Sequence, residues 1–379
     1  MRIIMASRES DWRREAENSI LLKSVSHWRE KPDRWFRGSY DRLPETVRVN
    51  PMSEEKDWVE SWLSGIGANR IPWFSGPGSA WEMPFERGSA EEEVKSLMSA
   101  LHETGRITRQ EAVSMLPVLA LDPTPGQIIL DLCASPGSKT TQICEHLGDS
   151  GAVVANEVIS GRVNTLVTNV QRHASRTVLV VQHDGRHIPR VPGSGFDGVL
   201  VDVPCTGSGT TRKNPDVWGK WRPSSGRSLH SLQYDLLTRA IELTKPGGRV
   251  VYSTCSLDPI ENEAVVARVL AGGKVRVVPR GDSLSGVPSN PGMTNWPLLN
   301  DKGELDNESK SEEYLIPTKD MAVSSQLNEC LRVWNDEIGG GGFFLAVLER
   351  ILEDDVSGVI NPFMSQKTIY DPESFPQPI

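Results

Sequence analysis

Two short stretches carry side chains able to do nucleophilic chemistry: Asp202-Val203-Pro204-Cys205 and Ser253-Thr254-Cys255-Ser256. Each follows an apolar run, Gly198-Val199-Leu200-Val201 and Arg249-Val250-Val251-Tyr252, of the kind that forms a buried parallel strand. Ligands of open parallel sheets gather beyond the carboxyl ends of the strands. An acid and two thiols stationed there are candidates for thiolate attack with acid–base assistance. Free cysteine is also among the most buried residue types and commonly behaves as a small hydrophobe, and one isolated cysteine would be assigned that way. Two at equivalent strand ends, one preceded by Asp-Val-Pro, favour a single active site.

A third stretch points to a nucleoside cofactor. The run Ile128-Ile129-Leu130-Asp131-Leu132 leads into Cys133-Ala134-Ser135-Pro136-Gly137-Ser138-Lys139 and then into helical periodicity. A strand, a glycine turn and a helix bring backbone N–H groups to a ligand, and a carboxylate at the next strand end can hold ribose hydroxyls. Glu157, twenty positions beyond Gly137, suits that role, and Asp184 is similarly placed one strand later. The loop has one glycine and neither G-x-G-x-x-G nor the Walker pattern, which demotes dinucleotides and ATP. Carboxylates at successive strand ends suit S-adenosyl-L-methionine and its substrate.

These groups require a doubly wound sheet to hold them. From residue 128 apolar runs alternate with helical patterns, predicting an α/β fold with helices on both faces. The expected elements are a helix from Thr140 to Leu147, a strand from Ala152 to Glu157, a helix from Val163 to Arg172 and a strand from Thr177 to Gln182. The cysteine-bearing strands are separated by a helix around Leu229 to Leu243 that closes at Pro246-Gly247-Gly248. A helix from Asn262 to Leu270 and strands at Val275–Val278 and Phe343–Leu348 follow. Upstream, residues 1–50 read as helices ending in an extended piece, Glu45 to Asn50. Asp57 to Leu63 reads as a helix, Trp73 to Pro84 as a loop-rich connection around Gly76-Pro77-Gly78, and Glu91 to Thr104 as a helix. The expected organisation is an amino-terminal mixed α/β RNA-binding region over 1–104, a catalytic α/β domain over 105–350 and a disordered or loosely docked extension over 351–379. Residues 281–313 are expected to form a long surface loop anchored by Trp296.

Composition narrows the class. A chain of 379 residues suffices for one large domain and a smaller one. Cys133, Cys144, Cys205, Cys255 and Cys330 contain no C-x-x-C pair, so no metal site or disulfide framework is expected and a reducing compartment is. No run approaches ~20 apolar residues, and MRIIMASRESDWRR lacks the apolar core of a signal peptide. A cytoplasmic protein without a membrane partner is expected. The net charge of −9 argues, alone, against nucleic acid. However, Arg8, Arg13, Arg14, Lys23, Arg29, Lys31, Arg34 and Arg37 are interleaved with Trp28, Trp35, Phe36 and Tyr40. Basic groups hold phosphates and aromatics stack on bases. An ordinary helical region with a solvated charged face accounts for the same pattern equally well.

DLCASPGSKTTQ at 131–142, DVPCTGSGTTRKNPDVW at 202–218 and YSTCSLDPIENEAVV at 252–266 resemble the Sun-type (NSUN) RNA cytosine-5 methyltransferases. Within that family, RQEAVSMLP at 109–117 and the RKNPDVW stretch look like the branch that methylates transfer RNA at several sites. The resemblance covers about residues 30 to 350. It implies a Rossmann-like class I methyltransferase that forms 5-methylcytosine in tRNA through a covalent adduct to C6. Cys255 corresponds to the nucleophile, Cys205 to the thiol that helps release the product and Asp202 to the acid that hydrogen-bonds the ring near N3. Lys139 corresponds to a lysine reaching into the site, where its charge can lower a thiol pKa. The cofactor contacts it implies are Cys133 through Lys139 at the methionine end, Glu157 at the ribose, Asp184 at the adenine and Asp202 facing the methyl. Arg212, Lys213, Asn214 and Trp218 are the implied RNA contacts. Glu157 stands where the family usually has aspartate, and Asn335-Asp336-Glu337 stands where a Pro-His pair commonly precedes the glycine-rich turn. The alternatives are a ribosomal RNA methyltransferase with the same chemistry and a non-catalytic RNA-binding protein. DNA cytosine methyltransferases attack with the Pro-Cys thiol, so a thiol in the Thr-Cys position argues against them.

Overall fold

The computed structural model describes residues 12–148, 150–190, 192–279, 281–306 and 312–351. The extension beyond 351, Arg8 and the first residues lie outside that set.

The amino-terminal region is built on a small antiparallel sheet. Its strands β1 (Pro44–Val49), β2 (Asn69–Arg70), β3 (Ser79–Glu86) and β4 (Ile107–Arg109) are ordered β2-β3-β1-β4. Val47, Val49, Trp81, Met83 and Ile107 bury one face against Val59 and Leu63 of the helix Lys56–Gly65 and Met98 and Leu101 of the helix Glu92–Glu103. The Trp73–Pro84 stretch is thus only half the loop expected of it. Gly76-Pro77-Gly78 makes the turn, and the chain then runs straight into β3, with Pro84 at an exposed position. β4 was too short to show in the sequence. It keeps the small sheet continuous to Arg109, five residues past a boundary drawn at 104.

The large sheet has nine strands. Those on its main path are β5 (Ile128–Asp131), β6 (Ala152–Asn156), β7 (Val178–Val181), β8 (Phe196–Asp202), β9 (Thr244–Thr254), β11 (Asn290–Pro291), β12 (Leu331–Val333) and β13 (Phe343–Arg350). Their order is β11-β12-β13-β9-β8-β5-β6-β7, with β10 (Val275–Val277) paired to β13. β7, β6, β5, β8 and β9 are mutually parallel, whereas β13 runs antiparallel to β9. Alternating side chains feed two cores. Val199, Val201, Val250 and Tyr252 pack beneath the helices Pro223–Leu243 and Glu263–Leu270. Leu200, Val251 and Leu345 pack on the other face with the helices Leu116–Leu121 and Ser138–Leu147. The helix before β9 begins two turns earlier than expected, at Pro223. Pro246-Gly247-Gly248 lies within β9 as a bulge, since Thr244 pairs with Phe196 and the register resumes only at Arg249 opposite Gly198. No helix among the described residues is long and apolar enough to cross a membrane. Trp296 is buried and donates to the carbonyl of Leu315 at 3.0 Å, an anchor as expected. However, Asn290–Pro291 of the same stretch pairs with β12 as β11, so the 281–313 segment is not one long surface loop.

Candidate active site

Strand order reverses between β5 and β8, and the groups singled out in the sequence meet there. Lys139 stands at the start of the helix that follows β5, and Asp202 ends β8. The Lys139 Nζ donates to Asp202 Oδ2 at 2.7 Å and to Ser114 Oγ at 2.8 Å, closing the crevice between the two strands. Register places Ser253 of β9 beside Asp202, and its hydroxyl donates to Asp202 Oδ1 at 2.7 Å. Both oxygens of that carboxylate are therefore occupied as acceptors. One strand over, the sulfurs of Cys205 and Cys255 are 3.3 Å apart.

The electrostatics distinguish these groups. Burial disfavours the charge on Lys139, but the attraction of Asp202 and the hydrogen bond to it prevail, so the ammonium titrates above the ordinary lysine value. The Cys205 thiol is pushed well up by its hydrogen bond with Cys255, by burial and by the charges of Cys255 and Glu261. Cys133 is also pushed up, mainly by burial and then by Asp131, Asp202 and Glu157. Acids at three strand ends thus concentrate negative potential in one place, which suits a cationic ligand.

A cleft of about 520 Å³ opens here between the small sheet and the catalytic core. Pro136, Gly137, Ser138, Lys139, Asp202 and Cys255 line it, with Thr108 and Arg109 of β4 opposite. Gly137 sits at φ 108°, and a Cβ there would lie 2.9 Å from Leu166. Its lack of a side chain lets the loop lie flat against the helix Ser160–His173. The amino end of the helix Ser138–Leu147 then faces the cleft, with N–H groups free for an anionic group. This donor set, together with the acid cluster, fits a ligand carrying both a carboxylate and a sulfonium. Glu157 does not line the cleft. It is buried, accepts the N–H of Ile159 at 2.9 Å and lies 3.5 Å from Arg162, so a ribose would have to take the place of the arginine. Asp184 sits apart from the cleft, paired with Arg186 at 2.6 Å.

The RNA contacts implied by the resemblance divide. Lys213 and Asn214 are exposed, and Lys213 lines the cleft. Trp218 is fully buried among Trp35, Phe36 and Val217. Burying ~150–250 Å² of indole at ~25 cal/mol/Å² is worth about 4–6 kcal/mol. Stacking on a base returns about 1–3 kcal/mol, so Trp218 is a core residue and not a stacking platform. Arg212 is likewise withdrawn, because its guanidinium donates to the carbonyls of Asp41 at 2.8 Å, Gly340 at 3.0 Å and Arg42 at 3.1 Å. The aromatics near the amino terminus serve the same packing. Trp28 meets Trp221 edge-on and Trp35 meets Trp218, while Arg29 pairs with Asp336 at 2.7 Å and with Glu337 at 2.9 Å.

Three parts of the site lie inside the motifs that carry the resemblance, yet nothing in the sequence gave them a role of their own: Ser114, Gly209 and Glu261. Ser114 is an ordinary serine until the fold brings it to Lys139. Gly209 donates its N–H to the Cys255 carbonyl at 2.9 Å and accepts from Gly342 at 2.8 Å. Glu261, fully buried, accepts from groups on both cysteine loops.

A family model described as 16S rRNA methyltransferase RsmB/F matches residues 118–349. The chain is 40% identical over 290 residues to a multisite-specific tRNA:(cytosine-C(5))-methyltransferase of Saccharomyces cerevisiae, covering 71% of this chain and 42% of the relative. It is 39% identical over 306 residues to a tRNA (cytosine(34)-C(5))-methyltransferase of Drosophila melanogaster, covering 72% and 41%. The chain thus spans about two fifths of the length of these curated relatives. Among solved structures, a methyltransferase homolog protein from Pyrococcus horikoshii superposes with a TM-score of 0.65 at 27% identity, covering 87% of this chain and 93% of that one.

Proposed function

The chain belongs to the RsmB/F methyltransferase family, and on that premise we propose that it is an S-adenosylmethionine-dependent enzyme forming 5-methylcytosine in transfer RNA. The observation that carries the proposal is the pair of thiols 3.3 Å apart beside the Lys139–Asp202 ion pair. Cytosine C5 is a poor nucleophile. Addition of the Cys255 thiolate at C6 gives C5 the electron density to take a methyl group. S-adenosylmethionine, when bound, supplies that methyl from its sulfonium. Pro136 to Lys139 would hold its amino-acid end, with Cys133, Ala134 and Ser135 supporting the loop and Asp202 facing the methyl. Glu157 and Asp184, which do not line the cleft, would reach the ribose and the adenine once Arg162 and Arg186 release them.

The remaining steps belong to the protein's side chains. Lys139 favours the thiolate through its charge. Asp202 hydrogen-bonds the ring near N3, and the Lys139 ammonium it holds at 2.7 Å offsets the negative charge that builds there. Cys205 stays protonated during the attack. In the release step the C5 proton passes to solvent and the C5–H electron pair reforms the C5–C6 double bond. The C6–S bond breaks, with the departing Cys255 thiolate hydrogen-bonded by the Cys205 thiol 3.3 Å away. A cytosine in folded RNA must leave its stack to reach these groups, and Lys213 at the cleft and the neighbouring exposed Asn214 would contact the flanking backbone. Transfer RNA is the substrate named for the yeast and fly relatives. A second reading, small-subunit ribosomal RNA, is favoured by the description of the family model. The proposed location is the cytoplasm.

The test uses unmodified transfer RNA, labelled S-adenosylmethionine and three proteins: wild type, Cys205→Ala and Cys255→Ala. We expect methyl transfer by wild type, an RNA–protein adduct retained on a denaturing gel by Cys205→Ala, and neither product nor adduct from Cys255→Ala. The reverse pattern would overturn the nucleophile assignment. Methylation of ribosomal RNA but not transfer RNA would replace the substrate.

A further inference from the structure

Cys205 and Cys255 sit on separate loops after separate strands, so their 3.3 Å spacing requires something that ties the loops together. β-strand pairing does not extend that far, because the β8–β9 register ends at Asp202 opposite Ser253. The carboxylate of Glu261 does reach both. Its Oε1 accepts the backbone N–H of Thr206 at 2.9 Å and the Gln233 amide at 3.0 Å. Its Oε2 accepts the hydroxyls of Thr206 and Ser256, each at 2.5 Å. Thr206 directly follows Cys205 and Ser256 directly follows Cys255. Gln233 also donates to the Pro204 carbonyl at 3.0 Å, so the backbone is held on both sides of Cys205.

We infer that Glu261 is a positioning residue that sets the distance and relative orientation of the two thiols. It touches no reacting atom and acts through the residues that follow each cysteine. The choice of an acid at a fully buried position follows from this task. Four donors from three segments converge on one point, and only a carboxylate offers enough acceptor sites without a donor of its own. An amide at this position would turn an N–H toward groups that already donate. The charge has a second effect, since it lies close enough to Cys205 to oppose ionisation there, whereas Lys139 lies close enough to Cys255 to be raised by a thiolate there. The clamp therefore spaces the thiols and also helps keep the Cys205 proton in place.

The inference rests on the proposed roles of the two cysteines, but its test includes an arm independent of them. Phenylarsine oxide condenses with two neighbouring thiols, forming two As–S bonds and releasing water, and so reports their spacing directly. Wild type, Glu261→Gln, Thr206→Val and Ser256→Ala would be titrated with it, with Cys205→Ala as the single-thiol control. We expect at least tenfold weaker arsenical binding by Glu261→Gln and a smaller loss in each hydroxyl variant. With RNA, kcat is expected to fall about 10²-fold in Glu261→Gln, as for a displacement of ~1 Å, with KM within about threefold of wild type. Unchanged arsenical binding and unchanged kcat in the two hydroxyl variants would overturn the inference even if Glu261→Gln fails to fold. Weakened arsenical binding in a protein whose wild type methylates no RNA would uphold the clamp and reject the function.

Discussion

Lys139 places one ammonium between two acceptors, Asp202 and Ser114, in the cleft that Cys255 also lines. Its folded pKa is raised because Asp202 outweighs the cost of burial. The stabilisation of that pair is complete below the ordinary lysine value and is lost only as pH rises through the higher folded one, so Lys139 is cationic throughout the neutral range. Lys139→Met should therefore slow iodoacetamide alkylation of Cys255 at pH 7, measured in a Cys205→Ala background, by about tenfold, as expected when a thiol loses an adjacent cation. An unchanged rate would remove Lys139 from the activation of the thiol. Lys139 was singled out only through the resemblance, whereas Asp202, Cys205 and Cys255 were legible in the sequence because each stands at or just beyond a strand end, where short-range order decides position. Arg212 and Trp218 were not, although they lie in the same motif. Their fates depend on Asp41, Gly340 and Trp35, residues far away in the chain.

At the scale of elements, the active-site loop after β8 is locked by contacts too close for any side chain. A Cβ on Gly209 would lie 2.3 Å from the Gly342 carbonyl oxygen and 2.8 Å from that of Cys255. Because the obstacles are backbone atoms, Gly209→Ala should force the loops apart. The expected cost is about 1–3 kcal/mol of stability, read as a lower denaturation midpoint, together with at least a tenfold loss of kcat. Retention of both midpoint and kcat would show that the loops have room to move. The parallel strands β5 to β9 were legible because each is a bounded apolar run, buried on both faces in the centre of the sheet, while β7 at its edge leaves Leu179 exposed. β4, β11 and β12 span two or three residues, too few to establish a period. β3 was hidden by the turn signal that precedes it and by a proline inside it.

Across the whole molecule, the two sheets are joined by a buried ionic contact. Arg48 of β1 donates to both oxygens of Glu145, each at 2.8 Å, and to the carbonyl of Ser138 at 3.2 Å, while His173 lies 3.1 Å from the same carboxylate. Burial opposes the Glu145 charge, but Arg48 and His173 prevail and hold its pKa below the ordinary value. Arg48→Met would leave that charge without its main partner, a change that costs about 3–5 kcal/mol in buried pairs. The contact to Ser138 would be lost as well. We expect a lower denaturation midpoint and weaker S-adenosylmethionine binding by calorimetry. A midpoint matching wild type would mean that the two regions are held by apolar packing alone.

β13 lies directly beside β9, and Gly342 at its approach closes the hydrogen-bonded path to Gly209 and Cys255. Synthesis runs from the amino terminus, so both thiols and Lys139 leave the ribosome well before Gly342 does. On the proposed function, a nascent or stalled chain would carry Cys255 in a loop that nothing yet frames. The capacity to form a covalent bond with RNA would then arrive late in biosynthesis, sparing incomplete chains that emerge amid dense RNA from becoming suicide traps for it.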